Sequence, residues 1–226
     1  MEGIVAGVKG IRLTGGAWNR RMNAGLELIT SPESSAISGQ LKKDEVFMVA
    51  YLLLLVAVLS RFVVLPHTAW LNFTAVGGAL LYFGARRPWR EMIAPLAVLL
   101  ATDYCLTVYA YHYPFQWQNY VPTWLWYAAA IVLGQILLHA RANVTRVAAA
   151  TLLGPTSFFL ISNYAVWAEG GMYPRTLAGL EACFVAGIPF YRNDVISTGI
   201  VLGLMFGVPV LVRRMREDQA RAVVVR

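Results

Sequence analysis

Few residues in this chain could do chemistry, and most of those lie inside apolar stretches. Asp103 sits in Ala101-Thr102-Asp103-Tyr104-Cys105, about two-thirds of the way through a hydrophobic run. An ionised carboxylate at such a depth costs about 2.5–3.5 kcal/mol on insertion scales. A cation, hydrogen bonds or protonation must offset that cost. Arg61 is the arginine at comparable depth in a neighbouring run. Two roles stay open for Asp103: a structural pair with Arg61, or the handling of a ligand or proton. A second polar set, Thr156, Asn163 and Trp167, recurs at i, i+7 and i+11, on one side of a helix. Pro155 beside it removes a backbone hydrogen bond and frees a carbonyl. Such groups either glue helices together for about 1 kcal/mol each, or line an internal site as broken helices do in transporters. Asn72 and Thr74, just ahead of Gly77 and Gly78, can pack helices closely or add polar groups to that site. Asp103, Asn163, Trp167, Asn72 and Thr156 are therefore the candidate ligand-binding residues. Span arithmetic puts Asp103, Asn163 and Trp167 at similar depth, so one shared site is the sharpest expectation.

Other chemistry finds little support. Ser157, in Pro155-Thr156-Ser157-Phe158-Phe159, lacks the Gly-rich loop of an intramembrane serine protease. His67, His112 and His139 are isolated, with no His-Glu-x-x-His spacing. Cys105 and Cys183 form no Cys-x-x-Cys pair; a disulfide between them stays open. No metal ligand, cofactor or catalytic residue is assigned, and no enzyme activity is expected. The chain has no Gly-x-x-x-x-Gly-Lys-Ser/Thr motif, so any energised step would need partner subunits.

The elements that must position these residues are membrane spans. Of 226 residues, 58% are hydrophobic and 14% charged, against roughly 25% charged in a soluble domain. Mean hydropathy is +0.56. Too little polarity remains to cover a soluble surface, and two cysteines exclude a disulfide-rich secreted scaffold. Residues 1–45 are rich in Gly, Ser, Asn and charge and show no apolar region followed by a cleavage site, so they read as a cytoplasmic tail rather than a leader. Spans of about 20 residues are expected over Val46–Leu65, Trp70–Ala85, Met92–Ala110, Thr123–Leu138, Val144–Trp167 and Val195–Val212. Thr176–Phe190 reads as a short re-entrant or interfacial helix ended by Pro189. The expected fold is an all-α integral membrane bundle of six transmembrane helices over 46–212, with this short helix before the last span and a basic tail over 213–226.

Net charge is +7, yet the basic residues gather at Lys42/Lys43, Arg86/Arg87/Arg90, Arg141/Arg146 and Arg213/Arg214/Arg216. That is the pattern of cytoplasmic loops and not of a phosphate-binding face, so nucleic acid is not an expected partner. With both termini cytoplasmic, every one of these clusters falls inside. Tyr109, Tyr111, Tyr113, Trp117, Tyr120, Trp124, Trp126 and Tyr127 crowd the opposite end. They suit a headgroup belt, or a stacking platform for a flat ligand.

One resemblance adds to this. Leu71-Asn72-Phe73-Thr74-Ala75-Val76 with Gly77 and Gly78, then Asp103, the block Ser157-Phe158-Phe159-Leu160-Ile161-Ser162-Asn163 with Trp167, Tyr173-Pro174, Gly179-Leu180 and Ile188-Pro189-Phe190 are similar to an uncharacterised family of bacterial multi-pass membrane proteins. That family resembles the substrate-binding S components of energy-coupling-factor transporters. The likeness runs from about Leu59 to Met205 and departs at Ala75, where a Pro is expected. It implies a six-helix fold of the bacterial inner membrane that takes a small molecule from outside; apart from the resemblance, the alternative reading is a non-catalytic accessory subunit of a larger membrane complex, with the 1–45 tail docked on a partner. It carries no assigned site residues.

Overall fold

The computed structural model describes residues 32–64 and 73–224. Every regular element among them is helical. The chain divides into two compact units, Met1–Val46 and Phe47–Arg226. In the first, the described residues are helical and Gln40 donates to Asp44 one turn on, at 3.0 Å. We label the helices α1 (Pro32–Val64), α2 (Val76–Arg86), α3 (Ile93–Cys105), α4 (Val121–Leu138), α5 (Val144–Glu169), α6 (Leu177–Leu202) and α7 (Val208–Val224). A π-turn at Leu106–Ala110 extends α3, and a second at Gly203–Gly207 joins α6 to α7.

Side-chain contacts fix the direction of each helix in the second unit. Tyr51 meets Glu91 and Arg61 meets Asp103, so α1 and α3 run the same way. Ser60 binds the Ala75 amide while Tyr51 packs on Phe83, so α2 runs back along α1. Asp103–Trp124 and Thr107–Tyr120 make α3 and α4 antiparallel. Trp126–Ser157 and Arg146–Leu137 do the same for α4 and α5, and Thr156–Tyr191 and Trp167–Thr176 for α5 and α6. Directions therefore alternate from α1 to α6. One end of the unit collects Arg86, Arg87, Arg90, Arg141 and Arg146; the other carries the aromatic connection 111–116 and the turn 170–176. Arg175 lies at the aromatic end, its guanidinium held by the Glu169 carbonyl at 3.2 Å.

Among the described residues, five stretches are long and apolar enough to cross a membrane: Gly39–Phe62, Trp89–Ala110, Trp117–Leu138, Val144–Glu169 and Leu177–Ala222. Helix α2 is the exception. Its 11 residues reach only about 16 Å, and Val76 to Ala85 are all buried. Glycine makes that central position accessible. A Cβ on Gly84 would overlap the Ile131 carbonyl, and one on Gly134 the Leu81 carbonyl, so the α2 and α4 backbones touch as small-residue interfaces allow. Gly78 gives Val201 of α6 the same access. The expected span from Trp70 thus shortens to a half-length central helix.

The separate short helix expected over 176–190 does not form. Thr176 caps α6 through the Gly179 amide at 3.1 Å, and the helix continues through Pro189 to Leu202. A proline inside a helix forfeits one amide donor, a loss that neighbouring apolar helices tolerate. Pro155 sits inside α5 in the same way.

Candidate ligand-binding site

Asp103 is 1% exposed, and its carboxylate is fully engaged. Oδ1 accepts from Arg61 Nη2 at 2.5 Å and from the Tyr127 hydroxyl at 3.4 Å; Oδ2 accepts from Trp124 Nε1 at 2.9 Å. A buried carboxylate needs such donors. The next turn is built around the same point. Thr107 donates to the Asp103 carbonyl at 2.7 Å and also bonds the Tyr120 hydroxyl. The π-turn that follows lets the Tyr113 amide reach back to the Thr107 carbonyl at 2.9 Å. Arg61 is less well served: its Nη1 is buried and has no hydrogen-bond partner among the described residues.

That nitrogen belongs to a residue lining a cavity of about 240 Å³, whose walls include Arg61, Gly77, Asp103, Trp126, Tyr127 and Asp194. Asp194, on α6, is 6% exposed. The Thr198 hydroxyl donates to it at 3.4 Å, and among the described residues no cation lies within 4.0 Å. Gly77 makes room for this pair: a Cβ there would stand 2.8 Å from Thr198 Oγ1 and 3.3 Å from Asp194 Oδ1. The cavity also meets the start of α2, where the N-cap, Ala75, has no side-chain oxygen for the first turn and its own amide donates to Ser60 at 3.1 Å. Two carboxylates and one guanidinium therefore share a small space walled by aromatic rings.

A second cavity of about 250 Å³ lies between α5 and α6, lined by Pro155, Asn163, Gly187 and Tyr191 among others. Asp194 and Phe158 line both cavities. Asn163 donates to the Phe159 carbonyl at 2.8 Å and receives the Cys183 thiol on its own carbonyl at 3.3 Å. Gly187 leaves it space, since a Cβ would come within 2.6 Å of Asn163 Oδ1.

The candidate residues thus separate. Thr156, Asn163 and Trp167 do share one helix face, and that face meets α6. Thr156 bonds Tyr191 at 2.9 Å, and Trp167 donates to the Pro174 and Thr176 carbonyls at 3.1 and 3.2 Å, bracing the α5–α6 turn. Asp103 lines the first cavity and Asn163 the second; neither Trp167 nor Thr156 lines either one. Asn72 lies outside the described residues. Cys105 and Cys183 are both free thiols.

Residues 41–220 match the model of DUF6580, a family of unknown function. The chain belongs to the DUF6580 family. No curated protein and no solved structure matches it. The DUF6580 match takes in α2 to α6 and both cavities, and leaves out residues 1–40.

Within the DUF6580 region, sequence reasoning missed Asp194, because Pro189 was read as a helix end and the acid fell into a connecting segment. The available signal was the unbroken apolar character on both sides of Arg192-Asn193-Asp194. The aromatic cluster divides in two. Tyr109, Tyr111, Tyr113 and Trp117 are exposed, whereas Trp124 and Tyr127 donate to Asp103 and Trp126 donates to Ser157 at 3.0 Å.

Proposed function

We propose that this DUF6580 chain spans the bacterial cytoplasmic membrane six times, with both termini cytoplasmic, and binds a small polar solute in the cavity between Arg61, Asp103 and Asp194. One observation carries the reading: among the described residues, Arg61, whose buried Nη1 has no hydrogen-bond partner, lines a cavity together with Asp194, whose carboxylate has no cation. Helix glue alone would leave neither, because unpaired polar groups are expensive in apolar surroundings. The alternating helices and the arginines at one end support the orientation, by the positive-inside rule. Asp103 then lies 13 residues, about 20 Å, above Arg90 and in the outer third of the bilayer, so the solute enters from outside. No catalytic role is proposed for any residue. Uptake, as in S components, would need an energising partner subunit.

The second reading, a non-catalytic accessory subunit, is favoured by α7. This exposed helix carries Arg213, Arg214 and Arg216 beyond the bundle, with Arg213 and Glu217 3.6 Å apart, and offers a docking surface for another subunit.

Gentle purification in native lipid followed by mass spectrometry separates the two. The solute-binding reading expects a small molecule released on unfolding from the wild type and lost from Asp194→Asn. A stoichiometric protein partner with no small molecule would reject it in favour of the accessory reading.

A further inference from the structure

The charges around the cavity are placed asymmetrically, and that asymmetry names a class of solute. Arg61 approaches from α1, with Nη2 committed to Asp103 and Nη1 uncommitted. The first turn of α2, whose N-cap Ala75 has no polar side chain, lies on the same cavity, and helix N-termini favour negative groups. Asp194 approaches from α6, supported by one hydroxyl. Trp126, Tyr127 and Phe158 line the same space. Aromatic faces beside a carboxylate suit an ammonium group, which gains from both the charge and the ring quadrupoles. Asp103 already neutralises Arg61 as an ion pair, so a bare anion would leave the cavity negative. A bare cation would leave the Arg61 guanidinium with Asp103 as its sole acceptor among the described residues.

We infer that the cavity takes a small zwitterion, its ammonium on Asp194 among the rings and its carboxylate on the Arg61 guanidinium and the first turn of α2. A sphere of about 240 Å³ is roughly 8 Å across, the scale of a solute with under about ten heavy atoms and below the usual range for drug-sized ligands. This inference rests on the solute-binding reading and narrows it.

The test uses the full chain in lipid nanodiscs, with thermal shift and tryptophan fluorescence as readouts. Three zwitterions of different charge spacing (alanine, γ-aminobutyrate and glycine betaine) are compared with butyrate, butylamine and neutral butanol. At least one zwitterion should bind about tenfold more tightly than either half-ligand, as one added charge-assisted contact at each end implies. Asp194→Asn, which keeps the shape and the Thr198 contact, should reduce that zwitterion to the level of butyrate. Should Asp194→Asn fail to fold, Gly77→Ala fills the same corner and should weaken the zwitterion more than butyrate. Butylamine or butyrate binding as well as every zwitterion would overturn the zwitterion inference while leaving a solute site. Absence of binding by all three zwitterions would overturn it too, and the mass-spectrometric release of a solute then decides the broader reading separately.

Discussion

Replacing Asp103 with Asn is the most informative single change in the ligand-free protein. The side chain keeps its shape and one carbonyl oxygen, so either the Trp124 or the Tyr127 donor keeps an acceptor. What disappears is the charge opposite Arg61, now 2.5 Å from Asp103 and 18% exposed. Breaking a buried pair by removing one partner typically costs about 3–5 kcal/mol, because the remaining charge stays desolvated. For a chain of this size each kcal/mol moves the melting temperature by about 2–4 °C, so a fall of about 10 °C is expected. Thermal unfolding followed by tryptophan fluorescence in nanodiscs reads this directly. The control is Arg61→Met combined with Asp103→Asn. Removing the stranded cation should restore at least half of the loss, since neighbouring groups are not additive. A melting temperature within about 2 °C of wild type for Asp103→Asn, or a double variant no more stable than the single, would refute the claim that this pair organises the bundle.

Gly84→Ala and Gly134→Ala should each destabilise by about 3 kcal/mol, the upper range for overpacking, because the added methyl meets a backbone carbonyl that cannot move aside; chemical denaturation checks it. Gly187→Ala should cost less, about 1–2 kcal/mol, since the obstacles are the Asn163 and Phe159 side chains, and Asn163→Ala in the same chain should relieve part of it. Reporters at Met1 and Arg226 should both map to the cytoplasm and one after Tyr113 to the outside; opposite sides for the termini would remove the six-span topology.

Much of this arrangement was legible in the sequence, for reasons that differ by residue. Asp103 and Arg61 stood out because charge is costly in apolar runs and the two depths agree when counted from the basic clusters. Thr156, Asn163 and Trp167 obeyed a helical period, and the face they define does meet a neighbour. The identity of that neighbour was hidden, since periodicity locates a face and not its partner. Asp194 was obscured by a local rule, helix termination at proline, that weakens where adjacent helices support the chain. Helix α2 was read too long because Trp70, Leu71 and Phe73 are apolar, and hydropathy cannot tell a crossing segment from a shorter helix. Trp124 and Tyr127 looked like interfacial aromatics, and only the antiparallel packing of α3 on α4 turns them toward the carboxylate.

The half-length α2 has a consequence for biosynthesis. On the membrane-spanning reading proposed above, at about 16 Å it is too short for the insertion machinery to release into lipid as an ordinary span. The surfaces that cover it, at Gly134 on α4 and at Asp194 and Val201 on α6, leave the ribosome much later. At about 5–20 residues per second the nascent chain therefore carries an unpacked, glycine-rich helix for several seconds. During that interval α2 must wait beside its neighbours or in the care of a membrane chaperone. Final assembly becomes a post-insertion event triggered by the arrival of α6. Truncations that stop before Val201 should then be recognised by membrane proteases as orphaned intermediates, although the helices ahead of the break include ones long and apolar enough to cross a membrane.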